Sequence, residues 1–262
     1  MSNETTAPPR IAINETYASL LARLAEQGYE ARTFDTFDAD ARHVILRHDI
    51  DACPMRALRM AEVESAQGWT GLYFVQLTAA FYNSYAPSVR RVFKDILSLG
   101  HQIGLHLEVE PGATRQSLED DARRQAATLS DVLDGYDVEW MSFHRPGANA
   151  AALASFINVE RFAGLKNAYA DQYGEAGGLA YRSDSGGKWY DTHPLDHPRV
   201  RAGRALHLLT HPLWWFGDAP DDSVRSAFDF CNEHDDYTRA SVSEQFLQRA
   251  GQPDLSRATK PA

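Results

Sequence analysis

VILRHDIDACP (residues 44–54) carries the strongest fold signal in the chain. Its first three residues, Val44-Ile45-Leu46, form an apolar run that is too short for a helix and β-branched enough for a buried strand. Pro54 suits the first turn of a helix, which we expect to continue to about Gln67 and to stop at Gly68. The stretch therefore predicts a buried strand, a short polar connection and a helix.

The same alternation continues on both sides of this stretch. Before it, Asn14 is placed to cap a helix that ends near Gly28 and whose apolar residues recur with helical spacing at Tyr17, Leu20, Leu21 and Leu24. After it, we expect strands at residues 71–77, 101–108, 139–144 and 206–210, with helices through residues 89–97 and 118–133. The alternation of strands and helices predicts an α/β fold with a parallel sheet, either open or closed into a barrel.

Composition excludes several classes of protein. The chain has 262 residues, of which 44% are apolar, and a net charge of −10 from 26 Lys and Arg against 36 Asp and Glu. Aromatic and branched residues run throughout, which excludes a wholly disordered chain. The acidic balance argues against a nucleic-acid partner. Two cysteines, Cys53 and Cys231, do not make a disulfide framework or a cysteine-based zinc site.

The chain has no long linker and no internal repeat. We therefore expect a single domain over residues 11–250, with loose tails at 1–10 and 251–262. No stretch approaches the ~20 apolar residues of a transmembrane helix. The first ten residues lack the charged head and apolar run of a secretory signal, so we expect a cytoplasmic location.

Polar side chains follow four of the predicted strands, at the point where each strand ends. They are Asp49 and Asp51, then His106 and Glu108, then His144 and Arg145, and finally His211. The carboxyl ends of parallel strands meet at one rim of a sheet, so we expect these groups to converge. Histidine and carboxylate ligands suit zinc, nickel, cobalt, iron or manganese. Three such ligands and an open coordination position would make a catalytic metal site, in which a metal-bound water of lowered pKa is the nucleophile. A second carboxylate would then be the general base, and a histidine on another strand the general acid.

Each of these groups also has a simpler structural interpretation. Asp49 and Asp51 could cap the helix that follows them. His144 could be a core histidine bonded to the backbone, and Arg145 could form a structural ion pair. His48 alternates away from Asp49 along the strand, so we expect it to be packed rather than catalytic.

Three aromatic residues are candidates for contact with a substrate. Trp214 and Trp215 follow His211 and could form the floor of a sugar-binding site. Tyr82 could line the same site. Packing in the core explains each of the three equally well, and both interpretations stay open here.

Five short segments, in their order and spacing, resemble the NodB-homology polysaccharide deacetylases, carbohydrate esterase family 4. They are LRHDID (46–51), GHQIGLH (100–106), SFHRP (142–146), SDSGGKW (183–189) and LLTHP (208–212). The chain is most similar to a divergent branch with Arg-His-Asp-(Val/Ile)-Asp in place of the usual Thr-Phe-Asp-Asp-Gly. The resemblance extends from Tyr17 to Phe246 and implies a distorted (β/α)7 barrel of the NodB-homology type.

The resemblance also implies an activity. It is the metal-dependent removal of an acyl group, usually acetyl, from an amino sugar, which is hydrolysis of a carbon–nitrogen bond other than a peptide bond. By position, Asp49 corresponds to the catalytic base and His211 to the general acid. Arg145 corresponds to the arginine that orients the base, and Asp184 to the aspartate that holds this arginine.

The metal ligands match the family pattern only in part. Asp51 and His106 fall on two of the family's ligands, but Glu110 stands where the family has a second histidine, four residues after the first. Candidates for the third ligand are His144, Glu108 and Glu110, and we favour His144 because it restores an Asp-His-His set. We expect zinc, with nickel, cobalt, iron and manganese as alternatives.

We therefore predict a deacetylase that acts on a small-molecule or lipid-linked amino sugar in the biosynthesis of a surface polysaccharide or glycoconjugate. One alternative is a hydrolase of another carbon–nitrogen bond, such as that of a cyclic ureide or imide. A second is a non-catalytic binding protein that lost its metal together with the missing histidine.

Overall fold

The computed structural model describes residues 9–217 and 221–243. Within these ranges the strands are β1 (Arg10–Ala12), β2 (Glu30–Ala31), β3 (His43–Ile50), β4 (Gly71–Val75), β5 (Gln102–Leu107), β6 (Trp140–Phe143), β7 (Arg161–Phe162), β8 (Leu165–Asn167), β9 (Ala180–Ser183), β10 (Lys188–Tyr190) and β11 (Leu206–Thr210). The α-helices are α1 (Tyr17–Glu26), α2 (Pro54–Ala66), α3 (Pro87–Ser98), α4 (Arg115–Val132), α5 (Ala150–Leu153), α6 (Pro198–Arg201) and α7 (Ser223–Val242).

Seven parallel strands form the main sheet, in the order β9, β11, β3, β4, β5, β6 and β8. β7 adds an antiparallel edge to β8, and β2 pairs with the start of β3. β1 and β10 form a separate antiparallel pair. Because β3 lies near the middle of the order, its carboxyl end is flanked on both sides by the ends of other parallel strands.

The contacts of Phe34 show that this sheet is curled. The centre of its ring lies 4.8 Å from that of Trp140 on β6 and 5.0 Å from that of His207 on β11. Three strands separate β6 from β11 in the sheet. In a flat sheet the two would be about 19 Å apart, four spacings of about 4.8 Å. The prediction of an α/β fold with a distorted barrel of seven parallel strands is therefore confirmed, as a half-barrel with aromatic rings on its concave side.

Alternation along β3 separates the two faces of the sheet. Ile45 belongs to the apolar cluster of the concave interior, with Phe34 and Trp140. Val44 and Leu46 belong to the larger cluster between the sheet and the surrounding helices. The same period of two directs every second residue of the strand to the interior, which is the side on which Asp49 lies.

The helices bury the faces that their periodicity predicted. Tyr17 and the three leucines of α1 are buried. The helix begins two residues later than expected, because the side chain of Thr16, and not Asn14, accepts the hydrogen bond from Ser19 N. α2 begins at Pro54 as predicted, and no side chain caps it, so the capping role considered for the two aspartates is not observed.

Gly104 on β5 permits close packing in the concave interior. A Cβ atom at this position would lie 2.6 Å from the ring of Phe74 and 2.9 Å from the carbonyl oxygen of Trp140. Both distances are shorter than real Cβ contacts, so any larger residue must displace the ring or the neighbouring strand.

The extent of the domain stays a prediction. Residues 1–8, 244–250 and the expected tail at 251–262 lie outside the described residues. Among the described residues, no helix is long and apolar enough to cross a membrane.

Candidate active site

A cavity of about 720 Å³ opens at the carboxyl ends of the parallel strands. Its size is typical of ligand-binding pockets. Seven residues that the sequence predicted for the site line it: Asp49, Asp51, His106, His144, Arg145, His211 and Trp214. These residues come from four separate stretches of sequence, and the parallel sheet brings them to one rim.

Asp51, His106 and His144 form a compact group of ligand atoms. One ligand atom of each lies within 4.8 Å of the others. His106 Nε2 is 3.2 Å from Asp51 Oδ1, and His144 Nε2 is 3.8 Å from Asp51 Oδ2. Asp51 Oδ1 is buried and lacks a hydrogen-bond partner. A divalent ion would satisfy this oxygen, and one carboxylate with two imidazoles is a suitable ligand set, so the three residues fit a metal.

Neighbouring side chains direct both histidines towards this group. His106 Nδ1 lies 2.7 Å from Ser142 Oγ, and His144 Nδ1 lies 2.5 Å from Glu108 Oε2. Gln76 Nε2 donates to the same oxygen of Glu108 over 2.6 Å. Because both Nδ1 atoms are engaged, each Nε2 is left for an ion, as is usual for histidine ligands.

The same contacts separate the three candidates for the third ligand. His144 stands with Asp51 and His106, whereas the carboxylate of Glu108 contacts the far side of the His144 ring. Glu110 is exposed and does not belong to the group. The geometry thus favours His144 as the third ligand and gives Glu108 a supporting position.

Arg47 holds Asp49 from the same strand. Its Nε and Nη2 atoms donate to the two oxygens of Asp49 over 3.0 and 2.7 Å, and both side chains are buried. Burial alone would raise the pKa of Asp49, but the charges of Arg47 and His106 outweigh it and hold the pKa well below its usual range. Asp49 is therefore an ionised carboxylate, placed 3.6 Å from His106 Nε2.

Arg145 does not make the contact that the sequence predicted for it. It is exposed at the rim of the cavity, with a left-handed φ of 48°. Among the described residues, no hydrogen bond or ion pair joins it to Asp49, because Arg47 occupies both carboxylate oxygens. Arg47 and Asp49 are two residues apart on one strand, so their shared face was a usable signal for this pair.

Asp184 holds His211 and not an arginine. Its Oδ1 lies 2.5 Å from His211 Nδ1, and the backbone N–H of His211 also donates to it. The indole N–H of Trp215 donates to Oδ2 over 2.8 Å. Burial alone would lower the pKa of His211, but the Asp184 carboxylate outweighs it and raises the pKa to about 9. His211 Nε2 is left 3.9 Å from Asp51 Oδ2, on the cavity side.

The three aromatic candidates lie in different places. Trp214 lines the cavity, as expected for a substrate contact. Trp215 is 4% exposed, packs in the core and supports Asp184. Tyr82 lines a neighbouring groove, and its hydroxyl donates to the carbonyl of Ile50. Only Trp214 of the three therefore faces the predicted centre.

Fold and site together define an α/β half-barrel with an Asp-His-His group, a buried carboxylate and an Asp–His pair at the carboxyl ends of its strands. No family model and no curated protein matches the chain. Several solved structures do, and these structural neighbours are carbohydrate esterases of family 4, the family that the sequence motifs resemble.

Two esterases and one pseudoenzyme are among these neighbours. A family 4 carbohydrate esterase from Bacillus anthracis is 13% identical over 89% of this chain and 93% of its own, with a TM-score of 0.42. A family 4 pseudoenzyme from the same organism is 12% identical over 76% of this chain and 63% of its own, with a TM-score of 0.40. A family 4 acetyl xylan esterase from Clostridium thermocellum, in complex with a cobalt ion, is 12% identical over 82% and 95%, with a TM-score of 0.35.

Proposed function

We propose that this chain is a metal-dependent hydrolase that removes an acetyl or other acyl group from the nitrogen of an amino sugar. The observation that carries the proposal is the convergence of three kinds of group in one cavity. They are the Asp51, His106 and His144 ligand set, the ionised Asp49, and His211, which the buried Asp184 holds from behind. Amide hydrolysis needs a polarised carbonyl, a base and an acid, and these groups supply places for all three.

Asp51, His106 and His144 would hold the ion. The chemistry that a divalent ion supplies in such a place is polarisation of the acyl carbonyl and a lowered pKa for a water molecule. Zinc suits the ligand set, as do nickel, cobalt, iron and manganese.

Asp49 is the proposed base. Its low pKa keeps it ionised at neutral pH, and the two hydrogen bonds from Arg47 fix the plane of its carboxylate. It can therefore take a proton from the attacking water without moving. Arg47 acts through Asp49 and is a positioning residue.

His211 is the proposed acid. With a pKa of about 9 it carries its proton at neutral pH. Asp184 accepts from Nδ1, so the proton on Nε2 faces the cavity and can pass to the leaving amine. The acid and the base thus differ in protonation state because one has a carboxylate as its neighbour and the other a guanidinium.

The proposed substrate is a small-molecule or lipid-linked amino sugar used in surface polysaccharide or glycoconjugate biosynthesis, in the cytoplasm. Trp214 in the cavity offers an apolar face for a sugar ring. Arg145 at the rim offers a cation that Asp49 does not need, and we assign it to the polar or anionic part of the substrate.

The test is acetate release from a panel of acetamido sugars by protein loaded with zinc or cobalt. We expect acetate from the wild-type protein and a loss of at least about a hundredfold in kcat for Asp49→Asn, with the metal retained. No acetate from any member of the panel, despite a full metal complement, would contradict the proposal. Ring opening of cyclic ureides or imides would instead favour the other hydrolase class.

A further inference from the structure

We infer that a second groove beside the catalytic cavity binds an aliphatic chain carried by the sugar substrate on the side away from the scissile amide. This inference rests on the function proposed above and names the part of the substrate that lies outside the catalytic cavity. The groove has a volume of about 460 Å³ and lies between the start of α2, the segment after β4, the start of α3 and α7.

Several large apolar side chains that line the groove are exposed to solvent. Met55, Phe81 and Tyr237 line it and are 61%, 49% and 49% exposed. Exposed apolar side chains scattered singly need no explanation, but three that line one groove mark a binding surface. The surface suits an apolar ligand.

Contacts across the groove show that its walls are fixed. The ring centroid of Phe81 lies 5.6 Å from that of Phe230 on α7. Ser88 Oγ and Tyr237 Oη, on α3 and α7, are joined by a hydrogen bond of 2.9 Å. Because side chains from both sides meet, the groove is a built feature and not a gap left by a detached helix.

The charges in the groove argue against an anionic ligand. Arg56 donates from Nε and Nη2 to the two carboxylate oxygens of Glu233, over 3.0 and 2.9 Å, and from Nη1 to the carbonyl of Leu213. Its guanidinium is therefore already used. Among the described residues that line the groove, the His234 imidazole alone would remain to balance a phosphate placed beside the Glu233 carboxylate. A neutral hydrocarbon chain needs no such counter-charge.

The groove and the catalytic cavity are neighbours that share lining residues. Ala52 and Cys53, which directly follow Asp51, line both. Tyr82 on the groove side donates to the carbonyl of Ile50 and accepts from the backbone N–H of Gln76. A substrate with its amide at the Asp51 group has only these residues to pass in order to reach the groove.

The position of the groove identifies which part of the substrate enters it. Asp49 and His106, each 2% exposed, lie at the closed end of the catalytic cavity, which suits a small acyl group. The groove is open to solvent along Met55 and Tyr237, which suits a chain that continues beyond the protein. An aliphatic aglycone, such as the chain of a lipid-linked sugar, has this shape, and Tyr82 then contacts the chain rather than the sugar.

The experiment uses the metal-loaded full chain with two N-acetylglucosamine glycosides, methyl and octyl, the latter kept below its micelle-forming concentration. Each buried methylene tightens binding about fourfold, so we expect KM for the octyl glycoside to be lower by about tenfold or more, with similar kcat. Met55→Asp should remove this difference without affecting the methyl glycoside. Asp is favourable in the first turn of α2, so this variant is expected to fold. The control is Phe228→Asp, 65% exposed on α7 and outside the groove, which should leave the difference intact.

A second measurement separates this inference from the proposed function. Octyl glucoside has no acetamido group, and we expect calorimetry to show that it binds the wild type and Phe228→Asp but not Met55→Asp. Equal binding to all three proteins, or none to any, overturns the inference, as does equal KM for the two glycosides. A wild-type dimer that Met55→Asp dissociates, without octyl glucoside binding, would overturn it in favour of a second copy in the groove. If octyl glucoside binds the wild type and Phe228→Asp but not Met55→Asp, and neither glycoside releases acetate, the chain-binding groove is supported and only the proposed deacetylase activity is overturned.

Discussion

Asp49 is buried among charged groups, and these groups decide its protonation state. Burial alone would raise the pKa of its carboxyl, but the charges of Arg47 and His106 lower it, and Arg47 adds two hydrogen bonds to the carboxylate. The residue that the family resemblance suggested for this role, Arg145, is exposed and free to serve the substrate.

Substitution of the two arginines distinguishes their roles. In Arg47→Lys the charge remains but the forked contact is lost, so we expect the pKa of Asp49 to rise and kcat/KM to fall by about tenfold or more. The acid limb of the pH profile should move to higher pH, because Asp49 must lose its proton to act as a base. Arg145→Lys, the matched variant, should leave this limb in place. A shift in Arg145→Lys but not in Arg47→Lys would contradict the assignment.

His211 provides a second prediction at this scale. Its pKa of about 9 lies above the ordinary histidine value because of Asp184. The pair therefore stabilises the folded state fully below about pH 6.5, and this contribution is lost as the pH rises through about 9. In Asp184→Asn we expect the pKa of His211 to fall, so that the alkaline limb of kcat/KM moves to lower pH.

The comparison requires equal metal content in the wild type and Asp184→Asn, since an ion beside Asp51 also lowers the pKa of His211. NMR titration of the imidazole measures the same shift directly. An unchanged alkaline limb and an unchanged imidazole pKa in Asp184→Asn would contradict the pairing.

Alternation along a strand decides which side chains reach the candidate site, as β3 shows. In β3, Asp49 faces the interior, while His48 faces α2, where Glu64 accepts from Tyr73 and lies 2.7 Å from His48 Nε2. The polar residues of one strand thus face two environments, the proposed catalytic site inside and a structural contact with α2 outside. The expectation that His48 packs and does not act in the site follows from this alternation.

In β5, the close approach of Phe74 and the backbone of Trp140 to Gly104 gives a prediction about stability. We expect Gly104→Ala to lower the free energy of unfolding by about 1–3 kcal/mol, measured by urea unfolding, because the added methyl overpacks the concave interior. Gly147→Ala is the control, since a Cβ there meets nothing within 4 Å. Its effect should stay within about 0.5 kcal/mol. Equal changes in the free energy of unfolding for the two variants would contradict close packing around Gly104.

At the scale of the whole molecule, the features that the sequence predicted are those that depend on residues close together in the chain. The periodicity of α1 and the apolar run in β3 are local, and strand ends in a parallel sheet converge whatever the details of the connections. These patterns sufficed for the fold class and for the gathering of Asp51, His106, His144 and His211 in one cavity.

Contacts between distant segments could not be predicted in the same way. Phe34 bridges two strands that are far apart in the sheet, and no periodicity records that contact. His144 lies beside His106 because β6 pairs with β5, not because of its spacing in the chain. Asp184 was assigned to an arginine by resemblance, whereas its contacts with His211 and Trp215 depend on how β9 and β11 pair.

The claim on which the rest depends is that Asp51, His106 and His144 hold one divalent ion. Elemental analysis of protein reconstituted with zinc, nickel or cobalt tests it directly. We predict about one ion per chain in the wild type and in Glu110→Ala, and loss of the ion in Asp51→Ala, His106→Ala and His144→Ala. Glu108→Ala should bind the ion about 10–100-fold more weakly and still fill at high metal concentration. No ion in the wild type, or full metal content in His144→Ala with loss in Glu110→Ala, would contradict the account.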